Sequence, residues 1–302
     1  MNVRSLIFFA AVLVTAVGFG ALLGPPASAQ SAPERRLQVS PLRNEISVEA
    51  GAAYKGSISL KNTGKATLKV TLSAEAFGVI NQNYDYEFNP KAPVSEWVHF
   101  TQSDVIIDEG ETYVANYLIS VPIGAEPGGK YISLFASTLP SANDGITSVD
   151  RIGSLIYLTV PGNITSPGEL ISLKSPLTTT SDFNWSATIR NGGTAHFRSN
   201  YSVTTQTLWN TNIAKTEGSG LILPASVRLI QGSGAQPEWL GIYKVHYQFG
   251  LGDTPTADQT KLLFYLPPLQ TIAAVGLLIA FISFLTSSLR RHKKRKHLQH
   301  KD

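Results

Sequence analysis

Three histidines and one run of alternating oxygen-bearing side chains are the first places to look for chemistry. His99, His196 and His246 are the only histidines between residues 30 and 265. Each falls in or beside a stretch of alternating apolar residues, far from the others in the chain. That reads as three sheet histidines, although folding could still assemble a triad or a metal site. Asn81, Asn83, Asp85 and Glu87 alternate with Tyr84, Tyr86 and Phe88. Oxygens spaced in this way could hold calcium; an exposed hairpin face gives the same pattern. The sequence has no Gly-x-Ser-x-Gly elbow, no His-Glu-x-x-His, no phosphate loop and no dinucleotide fingerprint. It has no cysteine, which excludes thiol catalysis, cysteine zinc sites, disulfides and a lipidated anchor cysteine. No catalytic residue, cofactor or metal is expected, and the chain does not read as an enzyme. Asn163-Ile164-Thr165, Asn184-Trp185-Ser186 and Asn200-Tyr201-Ser202 match the glycosylation sequon, a pattern that also arises by chance in a chain of this length.

The four tryptophans are more informative. Trp97 and Trp185 lie within strand patterns, where core packing is the natural role. Trp209, within Thr207-Leu208-Trp209-Asn210-Thr211-Asn212, sits at a hairpin tip, and Trp239 follows Gln236-Pro237-Glu238 in a loop. Trp209 and Trp239 are therefore the candidate binding residues, as platforms for a sugar face or anchors for a protein partner. Packing at a sheet edge is the alternative for both.

Two apolar segments set the position of everything else. Leu266–Leu289 carries no charge. As a helix, 24 residues at about 1.5 Å each reach across a hydrocarbon core of about 30 Å. Pro267 and Pro268 stand at its start, where missing donors cost little. Arg290, Arg291, Lys293, Lys294, Arg295 and Lys296 follow it, and basic flanks stay on the cytoplasmic side. This predicts a single-pass protein of the cell membrane, with residues 290–302 as a basic cytoplasmic tail and the N-terminal region extracytoplasmic. A buried core helix with a solvated tail is the competing reading. At the other end, Arg4, an apolar run from Leu6 to Leu23 and Ala27-Ser28-Ala29 form a signal peptide over residues 1–29; an uncleaved anchor is the alternative. Setting aside Arg4 and the seven tail Lys and Arg leaves 17 basic residues, and setting aside Asp302 leaves 20 acidic ones. The region between the segments is thus slightly acidic, with no field to attract nucleic acid. The tail could touch anionic lipid headgroups.

That region reads as β-structure throughout. After a spacer over 30–36, period-2 alternation runs through Tyr54–Leu60 and Leu68–Ala74, around Asn62-Thr63-Gly64-Lys65, which predicts a hairpin. Trp97–Thr101, Val105–Ile107, Tyr113–Val121, Tyr131–Leu139 and Ile152–Val160 are further strands, separated by turn clusters such as Ser141–Gly145. Pro161–Gly168 reads as a linker. Strands resume at Leu170–Leu173, Phe183–Arg190, His196–Thr205, Val227–Gln231, Tyr243–Phe249 and Lys261–Leu266. The expectation is an all-β ectodomain of two immunoglobulin-like antiparallel sandwiches, over 37–161 and 169–265, plus one C-terminal transmembrane α-helix. Leu60-Lys61-Asn62-Thr63-Gly64 and Ile189-Arg190-Asn191-Gly192-Gly193 both place Asn and Gly at the end of an apolar strand.

Val39-Ser40-Pro41-Leu42-Arg43-Asn44-Glu45-Ile46 and Pro127-Gly128-Gly129-Lys130-Tyr131-Ile132-Ser133-Leu134, with Asn191-Gly192-Gly193, Leu223–Arg228 and Gly241-Ile242-Tyr243, stand in a familiar order. Together with the segment layout they resemble the WxL-interacting cell-surface proteins of Gram-positive bacteria. The first domain is also similar to pilus-chaperone domains, and Arg43 resembles a chaperone's cleft arginine. The resemblance implies a non-enzymatic, membrane-anchored surface protein that binds peptidoglycan or another surface protein. A membrane-tethered assembly chaperone is the alternative, and an extracytoplasmic hydrolase without a recognisable motif a further one. These are turn and strand motifs, so no binding residue transfers with them.

Overall fold

The computed structural model describes residues 36–139 and 149–298, with side chains described as far as residue 287. The segment expected to be a signal peptide, most of the expected spacer, the Ser141–Gly145 turn cluster and the basic side chains from Arg290 onward lie outside the described residues. The first strands are β1 (Leu37–Ser40), β2 (Arg43–Ser47), β3 (Ala53–Asn62), β4 (Leu68–Val79), β5 (Tyr86–Asn89), β6 (Val98–Phe100), β7 (Asp104–Ile107), β8 (Thr112–Ser120), β9 (Gly128–Thr138) and β10 (Arg151–Val160). They form a four-stranded sheet in the order β1-β3-β8-β6, and a six-stranded sheet in the order β2-β10-β9-β4-β5 with β7 also on β4. Inward alternation is what buries them: Ile58, Leu60, Leu72, Ile119, Ile132 and Ile156 meet in one core.

The next strands are β11 (Gly168–Lys174), β12 (Thr178–Thr179), β13 (Phe183–Asn191), β14 (Phe197–Thr207), β15 (Asn212–Ile222), β16 (Ser226–Gly234), β17 (Gly241–Leu251) and β18 (Thr254–Tyr265). Their sheets run β11-β13-β16 and β12-β18-β17-β14-β15. Phe183, Trp185, Val245, Tyr247 and Phe249 form the second core. Pairing is antiparallel except for β2 on β10 and β12 on β18, which are parallel. Both exceptions have one cause: the chain opens in one sheet and crosses to the far edge of the other. The first crossing is made at Pro41, whose peptide bond is cis.

The hairpin expected between β3 and β4 is not one. β3 pairs with β1 and β8, whereas β4 pairs with β5, β7 and β9. The turn carries the chain from one sheet to the other because Asn62 is buried and bonds across the gap. Its Nδ2 donates to Ala66 O at 2.7 Å and Ile107 O at 3.0 Å, and its Oδ1 accepts from Gly64 N. Asn191 does the same between β13 and β14, donating to Ala195 O at 2.9 Å and Ile222 O at 3.0 Å.

The segment between β10 and β11 is held in place. Thr165 O accepts from Thr194 N and Ala195 N, and Pro167 O accepts from Gly192 N. A Cβ on Gly193 would lie 2.1 Å from Thr165 O, so only glycine permits that approach. Beyond Tyr265 a helix, α1 (Pro268–Leu298), begins. Leu266 still belongs to the sheet, since its N–H donates to Thr179 O. Pro268–Ser287 has a mean hydropathy of 2.1 and none of its most apolar window is buried. An unpacked apolar helix of 20 residues is long enough to cross a membrane, and it is not a core helix of this fold.

Candidate functional site

Two features of the β-region stand out as functional candidates: a seam between the sandwiches and an uncovered sheet edge. Opposed residues share a face of a sheet, so the outward row of the six-stranded sheet runs Glu45, Tyr157, Tyr131 and then Phe77 and Phe88. Phe77 stands 5.4 Å from the Tyr157 ring and 5.7 Å from Tyr131. Leu221 and Leu223 of the second sandwich close over this row with Tyr84. The Tyr84 hydroxyl accepts from Leu223 N at 2.8 Å and meets Ser226 Oγ at 3.1 Å, while the Arg228 guanidinium lies 4.2 Å over its ring. Leu229 N donates to Gln82 O at 2.8 Å. Tyr131 OH meets His196 Nδ1 at 3.2 Å, and Arg198 pairs with Glu45.

Burial pushes the Tyr84, Tyr131 and Tyr157 hydroxyls up and the His196 imidazole down, so all four favour their neutral forms. Satisfied neutral groups in a packed aromatic row make a rigid seam, not a reactive pocket. Arg43 stacks 5.3 Å above Tyr157 at the margin of the seam.

The edge is β15. Short strands, bulges or neighbouring chain usually blunt sheet edges. Here β6, β5, β1 and β12 are four residues or fewer, and β2 has five, although β12 pairs only with Phe264 and Tyr265 and leaves Thr254–Leu262 of β18 without a strand on that side. β11 is interrupted by a register shift between Leu170 and Ser172, and Gln82 docks on β16. β15 has eleven residues and a hydrogen-bonded neighbour, β14, on one side only. Its one register irregularity, opposite Thr205 and Gln206, lies at its start. Lys215 and Glu217 pair at 2.5 Å on its exposed face. The other face is small: a Cβ on Gly218 would come within 2.3 Å of the Tyr201 hydroxyl. Beside this strand lies a shallow groove of about 710 Å³, lined by Asn200, Ser202, Glu217, Ser219, Gln248 and Gly250 among others.

Trp185 is buried in the second core and Trp97 packs against the first. Trp209 and Trp239 are 85% and 70% exposed, at the β14–β15 turn and in the β16–β17 loop. Neither lies in the seam. The histidines are not brought together: His99 is exposed on β6, His196 is in the seam, and His246 meets Thr260 and Asp258. The Asn81–Glu87 loop caps itself, with Asn81 Oδ1 accepting from Asn83 N and Asp85 N and its Nδ2 donating to Asp85 Oδ2. Among the described residues no group of three His, Asp or Glu could hold a metal.

Sequence reading missed both features. β15 lacks alternating apolar residues, so the only available signal was alternation of small Ala214, Thr216, Gly218 and Gly220 with polar neighbours. Tyr84 was visible only as one aromatic of the loop.

No protein-family model and no curated protein matches the chain. Solved structures do. The class 5 fimbriae chaperone CfaA matches with a TM-score of 0.40 at 10% identity, over 75% of this chain and 99% of that one. A complex of chaperone CsuC and tip adhesion subunit CsuE, from the archaic Csu pili of Acinetobacter baumannii, matches with 0.39 at 11%, over 76% and 98%. A protein of unknown function from Porphyromonas gingivalis W83 matches with 0.31 at 18%, over 76% and 99%. Scores of this size give no residue-level correspondence, and the functional argument rests on the seam and the edge.

Proposed function

We propose that this chain is a membrane-tethered, non-enzymatic module that holds an extracytoplasmic polypeptide by strand pairing along β15. The observation that carries the reading is the open edge of Ala214–Ser219, a regular run at the outer margin of its sheet with β14 on one side only and a groove beside it. Main-chain pairing supplies affinity there, and the polar groove beside it supplies side-chain selection. The seam supports a presenting role, since it fixes one sandwich on the other. The basic run Arg290–Lys296, which follows the apolar part of α1, favours a cytoplasmic C-terminus, which leaves both sandwiches outside. A surface or secreted polypeptide suits such an edge better than peptidoglycan, because the groove is lined mainly by polar side chains and its one aromatic, Tyr201, is half-buried.

The test is photocross-linking in cells, with a benzoyl-phenylalanine placed at Lys215 or Ser219. A polypeptide adduct, lost when a proline is introduced in Ala214–Gly218, is the expected result. An adduct indifferent to proline sinks the edge. Co-sedimentation of the detergent-solubilised chain with purified sacculi would return the function to the cell-wall polymer.

A further inference from the structure

The two exposed tryptophans lie at one end of the second sandwich, and it is the end from which α1 leaves. The register places them there. Gly241 lies opposite Tyr265, and Thr207 opposite Tyr243, so Trp209, two residues past Thr207, comes level with Tyr265. Leu177 precedes β12, its O accepting from Phe264 N, and is 62% exposed. Trp239 is tied to the helix itself. Gln270, in the first turn of α1, accepts from Leu240 N at 2.7 Å through Oε1 and donates to Glu238 O at 3.1 Å through Nε2. Tyr243 OH donates to Trp239 O at 2.7 Å. The Trp209 turn is fixed too: Lys244 Nζ donates to Leu208 O at 3.2 Å and Asn210 Oδ1 at 3.1 Å, and Asn210 adopts φ +66°.

Holding a bare indole in water on a rigid turn has no stabilising return for a free-standing sandwich. It has one at a bilayer surface, where tryptophan rings sit at headgroup level. We infer that Trp209 and Trp239, with Leu177, rest in the interfacial layer of the bilayer that α1 crosses, so that the second sandwich stands on the membrane in a fixed orientation. This rests on α1 being a span. It gives the two tryptophans a lipid partner in place of a sugar or protein, and it holds the start of β15 at the membrane surface.

The experiment uses the full chain reconstituted into phosphatidylcholine–phosphatidylglycerol vesicles, with tryptophan emission read against phosphatidylcholine brominated near the top of its acyl chains. Quenching is expected in the parent. It should fall in W209F and in W239F and be nearly abolished in the double variant, because Trp97 and Trp185 are held in the cores. An unchanged melt for each variant shows that the fold is retained. Quenching by aqueous acrylamide without quenching by bromine overturns the inference, since the rings then face water. Protection from both quenchers also overturns it, in favour of a protein cover such as a second copy. Release of the chain from the vesicles by alkaline carbonate would instead show that α1 is not a span, and both readings would fall together.

Discussion

At the scale of single residues, the fold depends on two buried amides. Asn62 and Asn191 each satisfy carbonyls that would otherwise be stranded where the chain leaves one sheet for the other. A buried acceptor left without its donor costs about 1–3 kcal/mol, and each amide serves two or more. Asn62→Ala or Asn191→Ala should therefore lower stability by about 2–4 kcal/mol, measured by denaturant unfolding, with Asn→Asp hardly better because it cannot donate. A loss below about 1 kcal/mol would show that water reaches these carbonyls. His196 makes a different prediction. Burial holds it below its ordinary value, with Glu45 opposing and Arg198 adding to the fall, while Tyr131 and Tyr157 pack on its ring. The unfolded chain therefore binds the proton more readily. Stability should be at its full value above about pH 6.5 and should decline as pH falls below it, toward the folded pKa. Melting temperatures across that range should show the decline, and His196→Gln should flatten it. Both asparagines were legible in the sequence as turn signals, Asn62-Thr63-Gly64 and Asn191-Gly192-Gly193, but their role was not. The same letters serve a hairpin and a sheet-to-sheet corner, and only burial tells them apart.

At the scale of elements, alternation of apolar residues located nearly every strand that faces a core, because burial on one face is what imposes period 2. It failed where burial does not dictate sequence. β15 and the first half of β18 are polar on one face and small or polar on the other, so nothing separates them from loop by composition. An edge strand that must stay soluble cannot carry the pattern that would reveal it. In an antiparallel pair, alternate residues turn their N–H toward the neighbour and the others turn it outward. Prolines placed singly from Ala214 to Ser219 should therefore divide into two sets. Those whose N–H serves β14 should destabilise the protein, by about 3 kcal/mol if they behave as interior prolines do. Those facing outward should leave the melt nearly unchanged and block the partner, since proline is tolerated at an edge with its nitrogen to solvent. Destabilisation at every position would mean that β15 is covered on both sides.

At the scale of the whole molecule, the two sandwiches are built on one plan. β11-β13-β16 repeats the order of β1-β3-β8, and β12-β18-β17-β14-β15 repeats β2-β10-β9-β4-β5. The buried asparagines occupy matching corners. What differs is the outward face of the larger sheet. In the first sandwich it is the aromatic row that the second sandwich covers; in the second it carries Asn200, Ser202, His246 and Gln248 and is left to solvent. A polar outer face ends the stack, as the terminal repeat of an array must. We propose that each sandwich is a folding unit, and that Tyr84 is the main fastener between them. Its ring is buried, its hydroxyl is bonded to Leu223 N and Ser226 Oγ, and Arg228 stacks over it. The half-exposed Arg198–Glu45 pair adds little, because exposed ion pairs contribute about 0–1 kcal/mol. Fragments 36–161 and 162–266 should each melt cooperatively, and each at a lower temperature than the intact β-region, because Phe77, Tyr157, Leu221 and Leu223 lose their cover. Tyr84→Ala in the full chain should cost about 2–4 kcal/mol, combining the lost ring with an unpaired Leu223 N–H, whereas Glu45→Gln should cost less than about 1 kcal/mol. If both fragments melt as high as the whole and Tyr84→Ala is silent, the seam is a contact without energetic weight, and the sandwiches move independently above the membrane.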